Sequence, residues 1–144
     1  MPLPSLDERA ISIGALAADW RDAVRLAGRA LAAAEVALPA YAEEMVRMIE
    51  EHGPYIVIAP GLALAHARPG PDVLRDGLAV VTLATPVPFG HPYNDPVHVV
   101  LALAVASPVG HLESVAAIAN VFNDSAAVEE LVAARSKADV LAVF

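Results

Sequence analysis

Gly61-Leu62-Ala63-Leu64-Ala65-His66-Ala67-Arg68-Pro69-Gly70-Pro71-Asp72 carries the pattern on which the fold turns. From Ala63 to Ala67 the odd-numbered positions are all alanine, while the even-numbered ones from Leu62 to Arg68 read Leu, Leu, His, Arg. Side chains of a strand alternate between its two faces, so this is a strand with one small face and one large face. Pro69-Gly70-Pro71 then stops regular structure. The same alternation predicts that His66 and Arg68 emerge on one side at the strand's end. A nucleophilic imidazole beside a fixed positive charge suits the handling of a phosphoryl group.

Outward from that strand, the chain of 144 residues fits one domain, residues 1–144, with a core large enough to need neither disulfides nor a metal. Apolar residues make up 57% of it, yet no run approaches the ~18 uninterrupted apolar residues of a membrane span, and a soluble protein is expected. The N-terminal MPLPSLDERA has early acidic residues and no basic start, which argues against a secretory leader and for the cytoplasm. There is no cysteine, which removes thiolate nucleophiles, thiolate metal sites and disulfides together. A formal charge of −8 opposes nucleic-acid binding and leaves a basic protein partner easier to accommodate.

Periodicity supplies the remaining elements. A short strand is expected within Arg9–Gly14, and a helix capped by Asp19 runs to about Glu35 on Trp20, Val24, Ala27, Leu31 and Ala34. A second helix starts at Pro39, buries Tyr41, Met45, Met48 and Ile49, and ends at Gly53-Pro54. The segments 55–59 and 62–68 read as two short strands or one bent strand about Pro60-Gly61. Gly77–Thr85 and Val97–Ala106 are continuous apolar runs typical of central strands covered on both sides. Ser107-Pro108 opens a helix whose stripe is Leu112, Val115, Ile118, Ala119 and Phe122. Asp124 or Ser125 caps another helix, with Val128 and Leu131, and Ser136 with Asp139 forms a capping box for a short last one. The fold class is α/β, a mixed sheet sandwiched between helices on both faces.

Five histidines can bear chemistry. His52, at a helix end, reads as a structural complement to the helix dipole. His66 reads either as a nucleophile or as a core histidine satisfied by the backbone; it suits the first role if one ring nitrogen donates to a carbonyl and leaves the other free. His111 sits in the first turn of the helix after Ser107, where free N–H groups attract anions, and reads otherwise as an exposed helix-start residue. His91 and Asp95 belong to the turn-rich stretch from Phe89 to Pro96, and Asp95 either orients an imidazole or shapes the turn. His98 lies on a central strand. No metal-ligand spacing or phosphate-binding Gly-rich loop occurs, so neither a metal nor any other cofactor is expected.

Three stretches, GPYIVIAPGLALAHARP (53–69), FGHPYNDPVHVVLALA (89–104) and GHLESVAAIANVF (110–122), closely resemble the enzyme IIA family of the bacterial sugar phosphotransferase system. Within it the chain is most similar to the mannitol, fructose and ascorbate branch, nearest the ascorbate type, from about Ile11 to the end. The resemblance implies that His66 is the phosphorylated histidine, although Ala65 precedes it where proline is frequent. It implies that His111, followed by Leu112, is the second active-site histidine, and the reading of the residues agrees, with Arg68 and His111 stabilising the phosphoryl oxygens. Asp95-Pro96-Val97 matches the family's DPV, followed here by His98 where lysine is common. Arg47 stands near an arginine used by mannitol-type members but out of register, and its role is not carried over.

The implied task is to accept a phosphoryl group from phospho-HPr and pass it to a cysteine of enzyme IIB, without membrane insertion, for uptake of a sugar of the ascorbate type. A regulatory phosphoprotein of the same fold is the alternative. A metal enzyme built on His66, His91, His98 and His111 is a third, which requires those rings to converge. Alanine-rich helix faces suit packing within one chain or between two, so a homodimer is also open.

Overall fold

The computed structural model describes residues 3–144; Met1 and Pro2, the start of the segment whose charges argued against a leader, lie outside the described residues. In chain order the elements are β1 (Leu6–Ala15), α1 (Trp20–Ala33), α2 (Ala40–His52), β2 (Val57–Ala59), β3 (Leu62–His66), β4 (Gly77–Val87), β5 (Val97–Ala104), α3 (Pro108–Val121), α4 (Ser125–Ala133) and α5 (Lys137–Leu141). The strands form one sheet in the order β1-β4-β5-β3-β2. β1 is parallel to β4, β4 antiparallel to β5, β5 parallel to β3, and β3 antiparallel to β2. This is the mixed sheet that the sequence pattern predicts.

The two-sided alternation of β3 explains why both faces carry helices. Ala63 and Ala65 join Ala79, Val81, Val100 and Ala102 in a cluster with α1 and α2, through Val24, Leu31, Tyr41 and Met45. Leu62 and Leu64 join Leu78, Val80, Val99, Leu101 and Leu103 in a second cluster, against Ile118, Phe122, Leu131 and Val140 of the C-terminal helical region. Small side chains on one face let α1 and α2 approach closely, and leucines on the other fill the wider gap to α3, α4 and α5. His66 continues the leucine series, which directs it toward α3.

The segments around Pro60-Gly61 are two strands, not one bent strand. Gly61 has φ +78, and a Cβ there would stand 3.2 Å from the His98 ring, so the turn needs glycine for its conformation and for the close approach. The caps follow expectation: the Asp19, Ser107, Asp124 and Ser136 side chains accept from the amides of residues 22, 110, 126 and 139. At α5 the reciprocal half of the box reaches one residue further, with the Asp139 carboxylate accepting from Arg135 N–H at 3.0 Å. The stripe of α3 is a correction. Ser114, Ile118 and Phe122 face the core at i,i+4 spacing, whereas Leu112 is 72% exposed and Ala119 is also on the surface. Among the described residues no helix is long and apolar enough to cross a membrane.

Candidate active site

The carboxyl ends of β3 and β5 lie side by side, His66 against Leu103. His66 Nδ1 stands 2.9 Å from the Leu64 carbonyl oxygen. A carbonyl only accepts, so Nδ1 carries the proton and Nε2 holds the lone pair. Among the described residues Nε2 has no hydrogen-bond partner, and it keeps contact with solvent. The ring itself is only partly buried. That geometry meets the condition set by the sequence for a nucleophilic imidazole.

The His111 ring centroid is 5.1 Å from that of His66, with the planes inclined at 55°. His111 Nδ1 is buried with no hydrogen-bond partner among the described residues. An orphaned N–H is rarer in protein interiors than an under-used acceptor, which assigns the His111 proton to Nε2. The two rings are therefore complementary, His66 with a free lone pair and His111 with a free N–H. Burial holds both imidazoles below their usual pKa, and for His66 the neighbouring His111 adds to the effect while the Leu64 carbonyl opposes it. Both are neutral near pH 7.

The start of α3 offers fewer amides than its sequence suggests. Pro108 has none, Gly110 N–H is taken by the Ser107 hydroxyl at 3.1 Å and His111 N–H by the Ser107 carbonyl at 2.9 Å. A Cβ on residue 110 would stand 2.8 Å from the Ser107 oxygen, so glycine is what lets this cap close. Val109 N–H remains, and the helix acts on an anion through its dipole more than through a nest of donors. Exposed Val109 and Leu112 form an apolar rim beside His111.

Arg68 leaves the strand, which ends at His66, and lines a groove of about 360 Å³ with Tyr41, Arg47, Glu51 and Asp72. It is therefore not a simple continuation of the β3 alternation. Arg68 has no ion-pair partner among the described residues. Arg47 in the same groove is paired with Glu44 and Glu51 along α2. Of the two arginines lining this groove, Arg68 is thus the one without an ion pair among the described residues. Its charge reaches the phenol of Tyr55, whose pKa burial raises and Arg68 draws down. The Tyr55 ring stands edge-on to His66 at 5.9 Å.

Two expected residues are elsewhere. The Asp95 carboxylate accepts from Phe89 N–H at 3.0 Å and Gly90 N–H at 2.7 Å, and His91 Nδ1 accepts from the amides of Tyr93 and Asn94. Both shape the loop before β5, next to Gly61, whose amide donates to the Asn94 carbonyl. Five residues of strand, roughly 16 Å, separate Gly61 from His66. Asp95 acts as a turn residue and is not brought to the imidazole pair. His98 packs at the same far end, against Gly61, so the four histidines of the metal reading do not converge.

Two residues of the site were not singled out by the sequence. Tyr41 reads there as one more apolar position of α2, but its phenol is buried, pushed up to about 12 by burial, and hydrogen-bonded to the main chain at Ala67 and Leu103. A tyrosine within a buried stripe demands a polar partner, and that was the available signal. Tyr55 carried none beyond its place ahead of β2.

Fold and site together define a mixed α/β sandwich protein that presents a histidine pair at the carboxyl ends of two parallel strands. Over residues 5–144 the chain matches the family model for the phosphoenolpyruvate-dependent sugar phosphotransferase system, EIIA 2, and it belongs to that family of phosphotransfer proteins. It is 38% identical over 136 residues to the ascorbate-specific PTS system EIIA component of Shigella boydii, covering 94% of this chain and 88% of that one. Its fold matches the mannitol-specific cryptic phosphotransferase enzyme IIA CmtB of Escherichia coli with a TM-score of 0.83 at 25% identity, covering 96% and 93% of the two chains. The nitrogen regulatory protein IIA-Ntr of Neisseria meningitidis matches with a TM-score of 0.82 at 26% identity, covering 96% and 94%.

Proposed function

We propose that this protein is the cytoplasmic phosphoryl carrier of an ascorbate-type sugar uptake system, loaded by phospho-HPr on His66 and discharged to a cysteine of enzyme IIB. The observation that carries this reading is the His66 ring, with Nδ1–H committed to the Leu64 carbonyl and Nε2 free beside His111. In loading, the Nε2 lone pair attacks phosphorus, an N–P bond forms, and the N–P bond to the donor imidazole breaks with its electron pair. The proton on Nδ1 stays in place throughout. In discharge a cysteine thiolate attacks the same phosphorus, an S–P bond forms, and Nε2 recovers its lone pair. Phosphoryl transfer mainly needs alignment and charge stabilisation, so His111 Nε2–H, the α3 dipole and the Arg68 guanidinium are sufficient company for the nucleophile.

The test is incubation with phosphoenolpyruvate, enzyme I and HPr. The expected product is one acid-labile phosphate on His66 Nε2, absent from His66→Ala and lost when enzyme IIB is added. A His66→Ala protein that labels as well as the unaltered chain defeats the proposal. The likeness to the nitrogen regulatory IIA favours one second reading, a regulatory phosphoprotein. It predicts the same label but no sugar-dependent loss of phosphate when IIB and the membrane transporter are both present.

A further inference from the structure

The rung of the β3–β5 ladder that follows His66 is missing, and a side chain occupies its place. Val99 N–H donates to the Gly61 carbonyl at 3.1 Å. With Leu62 paired to Val99 and His66 to Leu103, the parallel ladder repeats at every second residue. Carried one step beyond the strand, this register assigns Ala67 N–H to the Leu103 carbonyl. Instead, Ala67 N–H donates to the Tyr41 phenol oxygen at 3.0 Å, and the phenol O–H donates to the Leu103 carbonyl at 2.9 Å. The Ala67 carbonyl lies 3.3 Å from the same oxygen, the longer of its two acceptor contacts. A direct N–H···O bond spans about 2.9 Å, whereas an oxygen bridging the same two atoms holds them roughly 5 Å apart.

We propose that Tyr41 is a positioning residue for the phosphoryl-accepting histidine: its hydroxyl, wedged into the last rung, parts β3 from β5 beside His66 and fixes the ring opposite His111. This rests on His66 being the acceptor, as proposed above. A helix side chain thereby decides where the sheet opens. Tyr41→Phe keeps the ring and its packing but removes the wedge, and Ala67 N–H is then free to close directly onto the Leu103 carbonyl. The main chain next to His66 shifts, and Nε2 leaves the line of transfer.

The experiment compares Tyr41→Phe with the unaltered protein in transfer from phospho-HPr, together with the ¹⁵N resonances of the His66 ring. The wedge predicts a kcat lower by about tenfold at unchanged KM, because alignment is lost while the docking rim of Val109 and Leu112 is untouched. It also predicts displaced His66 ring resonances. A variant with unaltered kcat and ring resonances, even with a lower Tm, overturns the proposal, since that is the behaviour of a merely structural hydrogen bond. A second reading needs no variant: in the unaltered protein the Tyr41 hydroxyl proton is expected as a slowly exchanging signal with a nuclear Overhauser contact to the Ala67 amide. Its absence overturns the wedge whether or not Tyr41→Phe folds. If the unaltered chain takes no label on His66, the carrier reading falls, while the hydroxyl signal and ring resonances still judge the wedge.

Discussion

The two ends of the sheet each hold an anchored imidazole, and they differ in what the remaining ring nitrogen can offer. At the β5 entrance, His91 Nδ1 accepts from two backbone amides and the Asp95 carboxylate from two more. An imidazole nitrogen that accepts is unprotonated, so the other His91 nitrogen carries the proton and offers no lone pair. At the carboxyl ends of β3 and β5, His66 uses one nitrogen and keeps the other, and His111 has one nitrogen sealed without a partner. Nucleophilic capacity in this fold comes from an anchored nitrogen that donates and leaves its partner a lone pair, whereas one that accepts leaves only an N–H and holds the turn. The contrast implies that substitutions at one end change the reaction and at the other change the folding equilibrium.

The largest effect expected is at His66. His66→Gln removes the only proposed nucleophile, and phosphate incorporation from phospho-HPr should fall below detection, while His91→Gln should label at the unaltered rate. Equal loss in both variants would break the distinction between the ends. Next in size is His111→Gln. Removing a preorganised donor to phosphoryl oxygens typically lowers rates on the order of a hundredfold, and stopped-flow or quenched transfer should find that loss in kcat. If His111→Gln instead alters only KM, the second ring serves docking and not the reaction.

Much of this division was legible in the sequence, for reasons that differ by region. The alternation of Leu and Ala through Leu62–Ala67 specified a strand, and the continuous apolar runs Gly77–Thr85 and Val97–Ala106 specified a sheet covered on both faces, because side-chain period and size are local properties. The alternation put His66 on the leucine face, and only the fold shows that this face meets α3 and His111. Arg68 was less legible, since alternation holds only while the strand lasts and β3 stops at His66. Leu112 misled for a related reason: a helix with apolar residues on several sides does not reveal which face is buried, and Ser114 was chosen over Leu112 by the sheet's position. Asp95 admitted two roles because a carboxylate before proline satisfies amides or imidazoles equally well. Only the distance along β5 separates them. The role of Tyr41 is a matter of tertiary pairing between residues 26 and 62 positions apart and has no local signature.

Asp95→Ala tests the far end directly. It strips the acceptor from Phe89 N–H and Gly90 N–H, and the loss is expected to destabilise the fold by about 1–3 kcal/mol, read as a lower denaturation midpoint at constant slope. Labelling of His66 in the folded protein should be unchanged. A transfer defect in Asp95→Ala at full folding would show that the entrance loop communicates with the imidazole pair along the β3–β5 ladder.

The smallest expected effect is a tilt in the dependence of stability on pH, and it is specific to the imidazole pair. Burial lowers the pKa of both His66 and His111 in the folded chain, so the unfolded chain binds protons first as pH falls. Stability contributed by the neutral rings is complete above the unfolded histidine value of about 6.5 and is lost progressively below it, down to the depressed folded values. His66→Gln and His111→Gln should each flatten the slope of unfolding free energy against pH in that window, measured by denaturant titration at successive pH values. Transfer follows the same sign: the nucleophile is the neutral ring, so phosphate acceptance should hold as pH drops through 6.5 and decline only lower, where His66 itself is protonated. A rate already halved at 6.5 would mean that His66 titrates as an ordinary exposed histidine, and that burial of the carbonyl-anchored ring is not what keeps it neutral.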